Sequence, residues 1–216
     1  VPQIDGYRFI YVLPWSETEL LVEDTRYSDS AEIAGSQFEN EVLKYVGQKF
    51  GQIKSIDRKE EASLPIPLNE QMFYHLEDRQ NRVYPTGVKA GLFHPTTGYS
   101  VPMAARFSEF VYEVFRNQEK QNWDSAYVAY LEEWKKNSKY YLMLNRMLFG
   151  ASIPQERRRI FDRFYQLSEG LIERFYSGRS TKMDRTRILF GKPPVPISKA
   201  INCLTKDDWM EKFNVL

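Results

Sequence analysis

A chain of 216 residues can hold one or two domains with a substantial core. Its net charge of +1, from 30 basic and 29 acidic residues, excludes an electrostatic nucleic-acid binder as the default reading. One cysteine, Cys203, excludes an intrachain disulfide and a multi-cysteine metal site, and two histidines, His75 and His94, are a poor basis for zinc or iron.

Aromatic residues reach 15%, flat apolar surface that suits a dense core or a large apolar ligand. No apolar run is long enough to span a bilayer, and no signal-peptide pattern precedes the first strand pattern. The chain begins Val1-Pro2-Gln3 and reads as a processed chain or a piece of something longer.

Gly6 to Trp15 alternates, with Tyr7, Phe9, Tyr11 and Leu13 on one face and Arg8, Ile10 and Val12 on the other. After the polar turn Ser16–Glu19, Leu20 to Tyr27 resumes a strand. Leu21, Glu23, Thr25 and Tyr27 share one of its faces. Two such runs across so short a gap predict an antiparallel hairpin. Period two puts Glu23 and Asp24 on opposite faces, so at most one can enter a pocket on a given side. A carboxylic acid among Leu21, Val22, Thr25 and Tyr27, with Tyr7, Phe9 and Tyr11 on the partner strand, should have a raised pKa and donate a proton near neutrality. The plainer reading turns Glu23 to water or pairs it with Arg8 or Arg26.

Ser36 to Phe50 reads as a helix, capped by Ser36 with Glu39 in the capping-box position and stopped by Gly51. Gln52 to Leu64 reads as a third strand, ended by Leu64-Pro-Ile-Pro-Leu68. Residues 69–89 form a mixed connection with a turn or short strand at 81–87. Val88 to Phe93 reads as a short buried strand. Gly91-Leu-Phe-His-Pro-Thr-Thr-Gly-Tyr-Ser100 then joins it to a helix over Val101–Asn117, whose stripe is Phe107, Phe110, Val111, Val114 and Phe115. Gly91 and Gly98 permit positive φ, Pro95 stiffens the turn, and Ser100 is a cap candidate. The N–H groups of that helix suit a phosphate, a carboxylate or a ring carbonyl. A capped connection with no ligand is the competing reading.

From Trp123 onward the pattern is helical. Ser125 to Gly150 makes one helix or two, and Tyr140–Phe149 is apolar nearly all round apart from Asn145 and Arg146. Further helices run from Pro154 to about Leu167, from a Ser168 cap to Tyr176, from Ser180 to Phe190, and from Ile197 to Leu204. An extended break falls at Lys192–Pro196.

Taken in order, three segments resemble the bacterial lycopene β-cyclases, which close the end rings of carotenoids. The first is Asp5-Gly-Tyr-Arg-Phe-Ile-Tyr-Val-Leu-Pro14 with Leu21-Val-Glu-Asp-Thr-Arg-Tyr27. The second is Phe93-His-Pro-Thr-Thr-Gly-Tyr-Ser100. The third comprises Leu144-Asn-Arg-Met-Leu-Phe149, Glu169-Gly-Leu-Ile-Glu-Arg-Phe-Tyr176 and Gly191-Lys-Pro-Pro-Val-Pro196.

The resemblance implies an α+β fold like that of the flavoprotein hydroxylases, an antiparallel substrate-binding sheet followed by a mostly helical C-terminal region. It divides the chain into a substrate-binding region (1–90), a second flavin-contacting loop and helix (91–122) and a helical region (123–216). It makes Glu23 the catalytic acid and Tyr7, Phe9 and Tyr11 substrate contacts. Gly91, His94, Pro95, Thr96, Thr97, Gly98, Tyr99 and Ser100 would face FAD, reduced by NAD(P)H. His94 is either a base or a loop histidine bonded to backbone, and Asp24 is a structural partner of a nearby arginine.

The family's G-x-G-x-x-G strand–turn–helix is absent from this sequence. The chain therefore reads as the C-terminal part of a longer enzyme, inactive alone and binding little or no FAD. The substrate would be lycopene, met at the cytoplasmic surface of a membrane by the stripes of Tyr140–Phe149 and Arg157–Tyr165, unless these pack on each other. The alternatives are another flavoprotein of this fold, a prenyl-lipid reductase or hydroxylase, and a non-catalytic lipid-binding module.

Overall fold

The alternating pattern forms the expected hairpin, β1 (Tyr7–Pro14) and β2 (Leu20–Tyr27), paired antiparallel with Tyr7 opposite Tyr27 and Tyr11 opposite Glu23. The structure is a computed structural model and describes residues 1–32, 34–70, 83–116, 122–190 and 195–213. Among them the hairpin is the only sheet, and the rest is mostly helical, an α+β fold.

Helix α1 (Gly35–Lys49) starts one residue earlier than its sequence signals suggest. Its N-cap is Ala34 with no side-chain cap bond, so Ser36 lies inside the first turn and the Ser36/Glu39 capping box does not form. Gly51, at φ 94°, follows the last turn as expected. Two expected strands are absent. Residues 52–64 take no regular structure and stay almost wholly exposed. Their charged residues leave no continuous apolar face to hold them on a sheet edge. Val88–Phe93 forms a 3-10 turn at Gly87–Ala90 instead, closed by Gly91 in the left-handed region at φ 66°. The expected burial of Ala90, Leu92 and Phe93 holds, because a helical turn hides a short apolar run as well as a strand does.

Helix α2 (Val101–Arg116) leads to α3 (Trp123–Gly150), a single helix of 28 residues capped by the Asn122 side chain. Four apolar clusters lie along α3. Tyr127, Leu131 and Trp134 meet Met103 of α2 and Ala90, Leu92 and Phe93. Tyr140 and Tyr141 pack with Phe175 of α5 (Glu169–Tyr176). Leu148 and Phe149 pack with Tyr27 of the hairpin and Phe161 of α4 (Arg157–Phe164). Ala151, just past the helix, meets Cys203 of α7 (Ile197–Thr205) and Val195. The run Tyr140–Phe149 is apolar all round because protein surrounds it.

Helix α6 (Lys182–Leu189) is capped by Thr181 with a Thr181/Asp184 capping box, two residues inside the expected start at Ser180. Gly178, at φ 67°, ends α5 as expected. Of the expected turn or short strand at 81–87, residues 83–86 are described and take no regular structure, while most of the break at Lys192–Pro196 lies outside the described residues. No helix among the described residues is long and apolar enough to cross a membrane.

Candidate active site

The register puts Tyr7, Phe9, Tyr11 and Leu13 on one face with Leu21, Glu23, Thr25 and Tyr27. This face has two halves. At one end Tyr7 stacks on Phe161 of α4, with ring centroids 4.0 Å apart, and Phe9 and Tyr27 join the same cluster. Burial raises the Tyr7 hydroxyl to about 12. At the other end Tyr11, Leu13 and Leu21 are exposed, as is Trp15 beyond the strand end. Glu23 stands where the halves meet, opposite Tyr11. It is exposed, not buried as its neighbours in sequence suggest, because nothing among the described residues covers the open half. The Thr25 hydroxyl donates to Glu23 Oε1 at 2.6 Å.

The opposite face holds an ion-pair network. Asp24 accepts from Arg8 Nε at 2.8 Å and from Arg26 at 3.0 Å, and Arg8 also reaches Glu41 of α1 at 3.0 Å. All three side chains on the strands are almost fully buried. The Arg26 guanidinium lies 3.7 Å from the centroid of the Phe38 ring. Burial works against the Arg8 charge, but the bonds to Asp24 and Glu41 outweigh it and raise its pKa. Asp24 is thus the structural carboxylate, and it occupies the arginines that sequence offered to Glu23.

The loop after Gly91 is closed on itself. His94 N–H donates to the Tyr99 carbonyl at 2.8 Å, and the N–H groups of Thr97 and Gly98 donate to the His94 carbonyl. Gly98 takes φ 72°, as its place in the turn requires. Gly91, His94, Pro95 and Thr96 are buried, Thr97, Gly98 and Ser100 partly accessible, and Tyr99 exposed. The His94 ring lies against Tyr141 and Phe175, centroids 4.4 and 4.7 Å away. Its Nδ1 accepts from the Thr96 and Thr97 N–H groups, each at 3.3 Å. Burial lowers its pKa to about 3 against the pull of the Phe175 carbonyl. A neutral imidazole whose Nδ1 already accepts two backbone hydrogen bonds fits the loop-histidine reading, while its buried Nε2 has no hydrogen-bond partner among the described residues.

Two anchors escaped the sequence reading. Asn145, fully buried in α3, donates to the carbonyls of Pro67 and Pro95, both at 2.9 Å. It ties the extended proline segment and the loop to one helix. Its signal was visible, a lone amide inside an apolar run. Arg157 is also fully buried. It donates to the Tyr27 carbonyl at 2.7 Å, pairs with Asp29 and lies over the Phe149 ring. It pins the end of β2 to α4. In the run Arg157-Arg158-Arg159 nothing but tertiary packing separates this residue from its two exposed neighbours.

A family model described as lycopene cyclase protein matches residues 1–202. The chain is 39% identical over 204 residues to a lycopene beta-cyclase of Paracoccus sp. (strain N81106 / MBIC 01143), covering 94% of this chain and 53% of that protein. Against a lycopene beta-cyclase of Pantoea ananas the identity is 40% over 208 residues, with the same two coverages. A third, from Pseudescherichia vulneris, is 38% identical over 200 residues, 93% of this chain and 51% of that protein. The chain spans about half the length of the curated relatives it matches. No solved structure matches.

Proposed function

The chain belongs to the lycopene cyclase family, and from that premise we propose that it carries the acid and the substrate face of a lycopene β-cyclase. The observation that carries the reading is the placement of Glu23. One carboxyl group stands at the edge of an otherwise apolar and aromatic hairpin face, with one oxygen held by Thr25 and the other free.

Such a face suits a redox-neutral cyclisation. The Glu23 carboxyl delivers its proton to the terminal double bond of the linear polyene, giving a tertiary carbocation. The neighbouring double bond attacks that carbon and closes a six-membered ring. Loss of a proton from the ring regenerates an alkene, so the sum of atoms and electrons is unchanged. An acid of this kind works where water is shut out, and a hydrocarbon chain laid on Tyr11, Leu13 and Leu21 is itself such a cover. Aromatic faces stabilise a cation without trapping it, a role open to Tyr11 and Phe9.

The chain's own residues fit a flavin only along one edge. Thr97, Gly98, Tyr99 and Ser100 are reachable and lead directly into the start of α2, whose helix dipole favours an electron-rich ring edge. Gly91, His94, Pro95 and Thr96 lie inside the core, where they shape the loop rather than touch a ligand. Bound in its reduced form by way of NAD(P)H, FAD would supply negative charge near the cationic centre. Lycopene and its product live in bilayers, so the reaction belongs at the cytoplasmic surface of a membrane.

The test is pigment extracted from a lycopene-accumulating bacterium that expresses the protein as encoded. β-Carotene is expected with the parent. The Glu23→Gln variant should lose roughly two to four orders of magnitude in rate, the span of a general acid. If Glu23→Gln cyclises as the parent does, the acid lies elsewhere. If the parent leaves lycopene unchanged, the cyclase reading fails.

A further inference from the structure

The two runs first read as membrane-facing, Tyr140–Phe149 and Arg157–Tyr165, spend their principal apolar side chains on the interior. A different surface is left uncovered. Helix α7 turns Ala200 and Cys203 toward Met147 and Ala151 at the end of α3. Its residues Ile197, Ile201 and Leu204, spaced i, i+4, i+7, point outward, and the two isoleucines are 64% and 55% exposed. In and just after α6, Met183 and Phe190 are 83% and 69% exposed, with Leu189 beside them.

The two helices lie along one side of the molecule. Ile188 of α6 packs, as Met143 and Leu144 do, against the cluster built on Tyr140, Tyr141 and Phe175, and the Tyr140 hydroxyl donates to the Arg185 carbonyl. Helix α7 belongs to the cluster with Met147 and Ala151. Positions 140, 143/144, 147 and 151 follow one another down a single face of α3.

The segment that carries these two helices is basic in sequence up to the acidic pair Asp207-Asp208 just beyond α7. Residues 179–206 contain Arg179, Lys182, Arg185, Arg187, Lys192, Lys199 and Lys206, against Asp184 alone. Asp184 is buried and held by Arg174 through two bonds of 2.7 Å. Seven basic residues against one acidic leave 23 against 28 for the rest of a nearly neutral chain. Arg179, Lys182, Arg187, Lys199 and Lys206 are exposed and have no carboxylate partner among the described residues. A cleft of about 370 Å3 between the end of α3 and α7 is lined by Lys199 and Lys206, together with Trp209, Ile153 and Asp208.

We propose that the α6–α7 face docks on a bilayer surface rich in anionic phospholipid. The exposed apolar side chains enter the headgroup boundary, and the unpaired lysines and arginines meet the lipid phosphates. A second copy of the chain is disfavoured on this face, because a two-fold contact would set the same cations against each other. The inference rests on the cyclase reading for its purpose but not for its test, since vesicle binding is scored without product formation.

The protein as encoded is floated with vesicles of phosphatidylcholine alone and with vesicles containing about 30% phosphatidylglycerol. It should float with the second and much less with the first, and binding should fall several-fold at about 0.5 M salt. The pair Ile197→Gln and Ile201→Gln should cut partitioning roughly ten-fold with an unchanged circular-dichroism melt. The pair Arg187→Gln and Lys199→Gln, wholly at the surface, should weaken the preference for anionic vesicles roughly ten-fold or more. Tyr112→Gln with Phe115→Gln, on the exposed side of α2, should bind as the parent does. Equal flotation with both vesicles overturns the proposal, as does full binding by the isoleucine pair. So does absence of vesicle binding in a protein whose isoleucine pair alters only its oligomeric mass in sedimentation. A cyclase failure in the pigment assay leaves these outcomes as they stand, and a vesicle failure leaves the pigment result as it stands.

Discussion

Asn145→Leu isolates the joint that sets the loop. The side chain is fully buried, and its amide donates to the Pro67 and Pro95 carbonyls, each at 2.9 Å. Its Oδ1 has no hydrogen-bond partner, so deleting that atom removes no bond. Leucine nearly matches the volume, which keeps the cavity contribution small. What remains is two buried carbonyls stripped of their donor, at about 1–3 kcal/mol each. The expected loss is about 2–6 kcal/mol. For a chain of this size about 2–4 °C accompany each kcal/mol, which places the fall in thermal midpoint at about 4–24 °C by circular dichroism. Asn145→Asp loses the same donors and adds a buried charge, so it should fall further. If the leucine variant melts within about 2 °C of the parent, the joint contributes nothing and the account of how the loop is held is wrong.

Three further substitutions follow from the same geometry. The unfolded His94 titrates near 6.5, while burial holds the folded group near 3. The unfolded chain therefore binds more protons between those values, and stability falls as pH drops from about 6.5 toward 3, by up to about 1.4 kcal/mol per unit. Denaturant midpoints of the parent and His94→Gln, compared from pH 7 to 4, should converge as the parent loses this contribution; parallel curves would refute it. Asp24→Ala leaves Arg8 and Arg26 buried without their shared carboxylate and should cost about 3 kcal/mol or more. Glu41→Ala should cost less, since Glu41 is partly exposed and binds Arg8 alone. A urea midpoint unchanged in Asp24→Ala, or the reverse order of the two, would show that the network does not hold the hairpin.

What local pattern governs was legible. Period two fixed the hairpin, its register faces and the separation of Glu23 from Asp24. Apolar period and glycine stops located α3, α5 and α7 within a residue or two. The failures fall where a partner decides. Residues 52–64 alternate enough to suggest a strand, but a strand needs an edge to pair with. The run before Gly91 is apolar enough for a buried strand, and the chain hides it in a 3-10 turn packed on α3. Among the three consecutive arginines from Arg157, burial of the first depends on the Tyr27 carbonyl and Asp29, some 130 positions earlier.

The candidate site divides along the same line. That Asp24 is structural and Glu23 faces the other way was readable, because one follows from the other. Once Asp24 is fixed between Arg8 and Arg26 on the inner face, the pleat leaves Glu23 no choice but the outer one. Its degree of cover was not readable, since that depends on what lies over Tyr11, Leu13 and Leu21. This openness is itself informative. A rim of exposed apolar side chains around one carboxyl group adds little to folding, because its area stays in water. Exposed apolar patches of this kind more often mark a binding surface than a packing residue. The stability of the hairpin is supplied from behind, by Asp24, and from one end, by Phe161 and Arg157. The Glu23 end is thereby free of structural duty, and its composition answers to whatever is laid upon it.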